Sequence, residues 1–285
     1  MASSAAFPVV RTTETLRDAT ASWRRAGLSI GLVPTMGALH EGHLELVRRA
    51  QAECDKVIVT LFVNPKQFND AADLASYPRN EDSDRFKLEA CQIDLLFAPH
   101  VASMYPQGFA TQVRVADLGN CLCGAARPGH MEGVSTVVTK LLMQSLPTRA
   151  YFGEKDFQQL LIIQRMVRDL DMPTEICPVE TVRDQDGLAL SSRNENLTAA
   201  QRAIAPRLLE VLQGCRDDLL STRPVGEALS AGKDALVQAG FDGIDYFDFR
   251  HAETLALLDT LAAPSRLFVA AWLGDIRLID NIAVA

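Results

Sequence analysis

The sequence has 285 residues, 48% of them hydrophobic and 22% charged, with a formal net charge of −8. This is the balance of a globular chain long enough to bury one large core or two smaller ones, and its acidity argues against a nucleic-acid carrier, which needs a basic face. No apolar run approaches the roughly 20 residues that span a bilayer, and Met1 to Pro8 lacks a charged segment followed by an apolar one, so neither a membrane span nor a signal peptide is expected. The six cysteines are Cys54, Cys91, Cys121, Cys123, Cys177 and Cys215. Only Cys121 and Cys123 lie close together, which is poor zinc spacing, so reduced structural thiols of a cytoplasmic protein are expected.

In chain order, residues 11–26 carry the apolar spacing of a surface helix that stops at Gly27. An apolar run over 28–33 then leads into Pro34-Thr-Met-Gly-Ala-Leu-His-Glu-Gly-His43, and an amphipathic run follows to residue 52. A strand feeding a Gly-containing turn that opens a helix is the reading. The helix start offers N–H groups and the positive end of a dipole to an anion such as phosphate. His40 and His43 flank that point. Taken alone, two histidines three apart are more often solvated loop residues.

Residues 56–63 form an almost unbroken β-branched and aromatic run, the mark of a strand covered on both faces. Asn64-Pro-Lys-Gln67-Phe ends it. A helix over 81–91 and a second apolar strand over 94–98 follow. A loop over 124–133 precedes a helix over 134–145 whose apolar positions 134, 137, 138, 141 and 142 share one face. A strand ending at Phe152 leads into Gly153-Glu-Lys-Asp-Phe-Gln-Gln159, and an amphipathic helix over 156–171 ends before Pro173. Residues 182–187 read as a turn. Thr198 caps a long helix running into Gly214, another helix covers 225–239, and strands over 244–250 and 266–273 follow.

Strands alternating with helices predict βαβ units in an open parallel sheet, with an α+β remainder. The domain boundary falls near residue 181, giving domains 1–181 and 182–285. Ligands of such sheets bind outside the carboxyl ends of the strands. The ends after Val33, Val63, Ala98 and Phe152 are therefore expected along one crevice, and they lead to His40 and His43, to Asn64 and Gln67, and to residues 153–159.

Lys155, Arg193 and the helix start at Gly42-His43 are donors suited to stabilising phosphate charge. Imidazole titrates near neutrality, so His40 and His43 could bind phosphate or give a proton to a leaving oxygen. Walker and Gly-x-Gly-x-x-Gly motifs are absent, which points away from those phosphate and dinucleotide machineries. Ordinary readings stand beside these: Lys155 paired with Asp156 at the surface, Gln67 and Gln159 as surface amides, Arg193 in a salt bridge, and Asp82 or Asp84 complementing a helix dipole.

Together, PTMGALHEGH (34–43), FVNPKQF (62–68), YPR (77–79), RPGH (127–130), GEKDFQQL (153–160), LSSRN (190–194) and AAWLGDIRLIDN (270–281) resemble the pantothenate synthetase (pantoate–β-alanine ligase) family. The His-x-Gly-His element by itself marks only the broader HIGH-type nucleotidyltransferase superfamily. The resemblance implies a Rossmann-like parallel-sheet domain, a smaller α+β C-terminal lid domain and, usually, a homodimer. It also implies ATP-dependent ligation of pantoate and β-alanine to pantothenate, with Mg2+, through a pantoyl-adenylate that releases pyrophosphate and then AMP. Carried over, Met36, Gly37, Ala38, Leu39, His40, Glu41, Gly42 and His43 would line the ATP site, with His43 the proton donor and His40 beside it on the phosphates. Gly153, Glu154, Lys155, Asp156, Leu190, Ser191, Ser192 and Arg193 match nucleotide-binding segments, with Lys155 and Arg193 in catalytic roles, and Val182 matches a backbone contact to adenine. Gln67 and Gln159 would hold pantoate, and Gln67 also β-alanine. Asn64, Arg127 and His130 fall in family motifs with less defined roles. Cys123 and Met131 depart from the usual Glu and Phe, and Ser83 interrupts an acidic stretch, leaving Asp84 as the Mg2+ candidate. Two other classes compete: a nucleotidyltransferase acting on a different small acid, and a non-catalytic nucleotide-binding module.

Overall fold

The computed structural model describes residues 7–69, 74, 75 and 77–285. The expectation about a signal peptide at Met1 to Pro8 therefore lies, but for its last two residues, outside the described residues. The chain divides into two compact units, Met1–Glu154 with Gln159–Glu180, and Lys155–Gln158 with Thr181–Ala285.

The first unit is built on six parallel strands: β1 (Val9–Val10), β2 (Ile30–Thr35), β3 (Lys56–Leu61), β4 (Leu95–Phe97), β5 (Arg149–Gly153) and β6 (Glu175–Val179). Their order is β1-β4-β3-β2-β5-β6. Helices cover the sheet, so Leu32, Val33, Ile58, Val59, Leu95 and Leu96 are buried, and the strands read as continuous apolar runs rather than alternating ones. The edge strands β1 and β6 escape sequence reading for physical reasons. The first has two residues, and the second, Glu-Ile-Cys-Pro-Val, is only partly covered and carries a proline of the kind edges tolerate.

Successive strands run outward from β2 to β3 and β4, and the chain then returns to β2's other side with β5. The carboxyl end of β2 is thus a topological switch point, where open α/β sheets bind ligands. The pairing there is lopsided. Against β3, β2 is in register over all six residues, Ile30↔Lys56 to Thr35↔Leu61. Against β5 it pairs only at Gly31↔Arg149 and Leu32↔Ala150. Thr35 faces β3 with both its N–H and its C=O, which meet Thr60 Oγ1 and Phe62 N, so the neighbouring Pro34 turns its nitrogen to the β5 side.

Helices differ from expectation mostly at their ends. The first spans Thr13–Arg25 behind a Thr12 cap, and the second, Glu41–Glu53, follows β2. A Cβ on Gly31 would stand 3.2 Å from Ala50 Cβ and Cys54 Sγ, which is how closely that helix lies on β2. The helix expected over 134–145 begins earlier, at His130, because Gly129 supplies the left-handed entry (φ 84°). The helix expected over 156–171 is Phe157–Asp169 behind a 3₁₀ turn, Glu154–Asp156.

The second unit packs helices on a three-stranded antiparallel sheet, β7 (Gly243–His251), β8 (Ser265–Leu273) and β9 (Ile276–Ala283), in the order β7-β8-β9. Its core includes Leu208, Leu212, Leu219, Phe247, Phe249 and Val269. One expectation is corrected here. Thr198 does cap a helix, through Gln201 N, but that helix is only Ala199–Ile204. Pro206 has no N–H to continue the ladder, and a new helix, Arg207–Leu220, runs on through Gly214. No disulfide joins the six cysteines.

Candidate active site

The loop after β2 is held rigidly at its base. Thr35 Oγ1 donates to Thr60 O at 2.6 Å, and Gly37 N donates back to Thr35 Oγ1 at 3.3 Å. Gly37 and Ala38 then adopt consecutive positive φ angles, 86° and 50°. Asp84, from the helix Glu81–Cys91, accepts Ala38 N at 2.9 Å and Leu39 N at 2.7 Å.

His40 is the extended N-cap of the helix Glu41–Glu53. Its backbone N–H donates to His43 Nδ1 at 3.3 Å, and the two rings lie 4.0 Å apart, tilted 41°. Because Nδ1 accepts, the neutral His43 ring carries its proton on Nε2. That nitrogen is a donor toward an incoming oxygen anion. The N–H groups of Glu41 and Gly42, first in the helix, have no acceptor within it, so they reinforce the same preference for negative charge.

The loop after β3 adds a buried amide cluster. Asn64 is 1% and Gln67 7% exposed, which overturns the ordinary reading of Gln67 as a surface amide. Asn64 Nδ2 donates to Gln67 Oε1 at 2.9 Å and to Gly133 O at 3.0 Å. Gln67 Nε2 reaches Met36 Sδ at 3.0 Å, joining this cluster to the histidine loop. His130 Nδ1 lies 2.8 Å from Gln67 O. The helix His130–Ser145 comes so near that a Cβ on Gly133 would stand 2.3 Å from Lys66 O.

Tyr105 completes the cluster, and sequence reading missed it. Its hydroxyl donates to Asn64 Oδ1 at 2.7 Å. Burial pushes its pKa well above the ordinary tyrosine range, so it remains a donor. The orientation of the Asn64 amide is fixed by one-way partners, Lys66 N donating to Oδ1 at 3.3 Å and Gly133 O accepting from Nδ2, and this aims Nδ2 at Gln67. Nothing in the apolar pattern singles out this tyrosine. In the folded chain its ring packs tilted against Phe62 and edge-on against Phe109, with centroids 6.1 and 5.0 Å away.

Met36, His40, His43, Asn64, Gln67, Asp84 and His130 are therefore linked in the first unit at the carboxyl ends of β2 and β3. Gly153 ends β5 there too, and Gln159 is half-buried near the start of the helix Phe157–Asp169.

In the second unit, Lys155, Ala189, Ser191, Asn194, Leu278 and Asp280 line a shallow open recess. Asn281 Nδ2 donates to Lys155 O at 3.0 Å. The turn after Val182 is closed by Leu190 N donating to Val182 O and by an Arg183↔Ala189 bridge. Arg183 forks onto Asp280 at 2.6 and 2.9 Å, and this pair braces the turn from β9. Ser191 Oγ accepts Arg193 N at 3.3 Å, starting the 3₁₀ turn Ser192–Asn196.

The residues present do not fit a metal held by Asp84. Both its oxygens already accept backbone N–H groups, it is 3% exposed, and Asp82 is turned to solvent. Among the described residues no group of three or more His, Cys, Asp or Glu could hold a metal ion.

Residues 8–283 match the family described as pantoate-beta-alanine ligase. The chain belongs to the pantoate–beta-alanine ligase family. It is 55% identical to a pantothenate synthetase of Chelativorans sp. over 98% of both chains, and 53% identical to one of Roseobacter denitrificans over 97% of this chain and 98% of that one. Among solved structures, the pantothenate synthetase of Thermus thermophilus superposes with a TM-score of 0.90 at 47% identity, covering 97% of this chain and 99% of that one. The Francisella tularensis ligase, solved with beta-gamma ATP and beta-alanine, gives 0.81 at 35% identity, covering 97% of each. The family thus accounts for nearly the whole length of the chain, both the parallel-sheet unit and the antiparallel one.

Proposed function

We infer that the protein is an ATP-dependent ligase that joins pantoate to β-alanine to give pantothenate. The observation that carries this is the family match across residues 8–283, with the histidine loop intact at the switch point of the sheet. Two steps balance the chemistry. A pantoate carboxylate oxygen attacks the α-phosphorus of ATP, the bond to the bridging oxygen breaks, and pyrophosphate leaves. The β-alanine amine then attacks the acyl carbon of the pantoyl-adenylate, the carbon–oxygen bond to AMP breaks, and the amine gives up a proton.

We assign His43 Nε2–H to the phosphate oxygens, where negative charge moves toward the leaving pyrophosphate, and His40 to the same phosphates beside it. The first-turn N–H groups of the helix Glu41–Glu53 add fixed positive ends. The loop residues Met36 to His43 then serve the nucleotide. Gln67 and Gln159 take pantoate, and Gln67 also β-alanine; the buried Asn64–Gln67 pair supports this, since an amide locked in one orientation can select a hydroxy acid by hydrogen bonding. Gly153 to Asp156, Val182 and Leu190 to Arg193 are assigned to the nucleotide, with Lys155 and Arg193 supplying cations to its phosphates.

Positioning and charge stabilisation dominate such an in-line displacement. Mg2+ supplies further charge neutralisation when it arrives with the phosphates of ATP; the fit of Asp84 gives no support to a protein-held ion. We place the enzyme in the cytoplasm on its cysteine pattern, and as a homodimer on the strength of the family resemblance. No helix among the described residues is long and apolar enough to cross a membrane.

The test is AMP formation. It should require pantoate and β-alanine together, whereas ATP–pyrophosphate exchange should require pantoate alone. Exchange driven equally well by unrelated acids would overturn the substrate assignment, and nucleotide binding without either reaction would overturn the enzymatic one. Light scattering at two protein concentrations tests the dimer.

A further inference from the structure

The helix Glu81–Cys91 grips the histidine loop. Asp84 takes the two consecutive N–H groups of Ala38 and Leu39, and Lys87, one turn later on the same helix, donates from Nζ to Leu39 O. Leu39 is therefore held at both its N–H and its carbonyl. Gly37 passes so near that a Cβ there would stand 2.9 Å from Asp84 Oδ2. The helix is itself fixed. Asn80 caps it through Ser83 N, and Arg11 binds Glu81 in a fork at 2.6 and 3.1 Å while also donating to Ala98 O at the end of β4.

What is gripped is a strained segment. Ala38 is a non-glycine residue at φ 50°, a conformation that persists where surrounding contacts over-determine it. One residue further on, His40 N–H makes the bond to His43 Nδ1 that sets the His43 tautomer. A shift of Leu39 turns the His40 peptide and loosens that bond. A carboxylate serving only the helix dipole would have no need of burial at 3% exposure, and one binding a metal would need an open face, whereas both Asp84 oxygens are turned to backbone N–H groups at 2.9 and 2.7 Å.

We propose that Asp84, backed by Lys87, is a positioning residue that fixes the 37–40 turn and with it the placement and tautomer of His43. The catalytic consequence rests on the ligase reading above; the structural one does not. Asp84→Asn keeps the size of the side chain but sets an amide NH2 against one of the two backbone donors. Backbone hydrogen exchange is read first, on the substrate-free protein. Ala38 and Leu39 N–H should exchange at least about tenfold faster in the variant, since a local opening has become easier.

In pantoate-dependent ATP–pyrophosphate exchange, kcat should fall about 10²-fold, the cost of a displacement of about 1 Å, with KM for ATP and the Mg2+ concentration for half-maximal rate within about twofold of wild type. Lys87→Met leaves the carboxylate intact and should speed exchange at Leu39 in the same direction, more weakly. Restoration of the Asp84→Asn rate by excess Mg2+ would make Asp84 a metal ligand and overturn the proposal. So would unchanged amide exchange, or faster amide exchange with an unaltered kcat. If Asp84→Asn fails to fold, Lys87→Met decides, and unchanged exchange at Leu39 there is the overturning result. Should wild-type protein show no pyrophosphate exchange, the ligase reading fails while the amide measurements still report on the grip.

Discussion

Gly133→Ala is the substitution whose effect the structure makes most specific. In an ordinary helix the change stabilises by up to about 1 kcal/mol. Here the added Cβ would stand 2.3 Å from Lys66 O, 2.5 Å from Lys66 C and 2.6 Å from Gln67 Cα, all of them backbone. Carbon atoms in contact sit about 3.5–4.0 Å apart, so the turn Pro65–Gln67 must retreat by about 1 Å. That retreat strains the bond from Asn64 Nδ2 to Gly133 O at 3.0 Å and the contact of His130 Nδ1 with Gln67 O at 2.8 Å. Overpacking costs about 1–3 kcal/mol, and a buried amide left without its partner about 1–3 kcal/mol more. Against the helix gain, a net loss of about 3 kcal/mol is expected. The displacement of Gln67 should lower kcat/KM for pantoate about 10²-fold. Urea unfolding measures the first quantity and steady-state kinetics at saturating ATP the second. Gly226→Ala is the control, because Gly226 lies in the helix Val225–Ala239 with nothing within 4 Å of its Cβ position. If Gly133→Ala matched that control in stability and in pantoate kinetics, the close approach inferred here would be refuted.

Three further outcomes are expected. His43→Ala should slow adenylation by about 10²–10³-fold with thermal stability nearly unchanged, measured by pantoate-dependent pyrophosphate exchange beside a melting curve; a wild-type rate would sink the role given to His43. Gln159→Ala should weaken pantoate more than ATP, and isothermal titration with each ligand would expose an equal loss. Burial, with Glu175 and Glu53 nearby, pushes the Cys177 thiol up to about 11. Its thiolate fraction at pH 8 is then about a hundredfold below that of a thiol titrating near 9, so iodoacetamide should label Cys177 correspondingly slowly in the folded chain and rapidly in urea. Equal labelling rates would contradict the burial.

Sequence reading reaches the sheet because both faces of its central strands are covered, and coverage writes itself as an apolar run. It reaches the helix Glu81–Cys91 in full, since acidic residues open it and Pro-free apolar spacing sustains it. Pro206 carried a signal that the long-helix expectation passed over, a residue with no N–H in the middle of a helical pattern. The motifs told more than periodicity did, and they pointed to His40, His43 and Gln67 before any geometry. What they could not convey is partnership across sequence distance. Asp84 reads as one more acid at a helix start until Ala38 and Leu39, 46 and 45 positions away, are seen to donate to it. Tyr105, 41 positions from Asn64, is legible only through that same kind of contact.

Pro34 gives the lopsided pairing of β2 a further meaning. Beyond Leu32 the strand has lost its partner on the β5 side, and the first nitrogen that could have recruited one back carries no hydrogen. The ladder bond that would extend the pairing from that nitrogen cannot form, whatever side chains surround it. A crevice of this kind does not wait for a ligand to prise it apart, and it does not collapse when the ligand departs. Its mouth is written into the backbone, as a hydrogen bond the chain has been made unable to form.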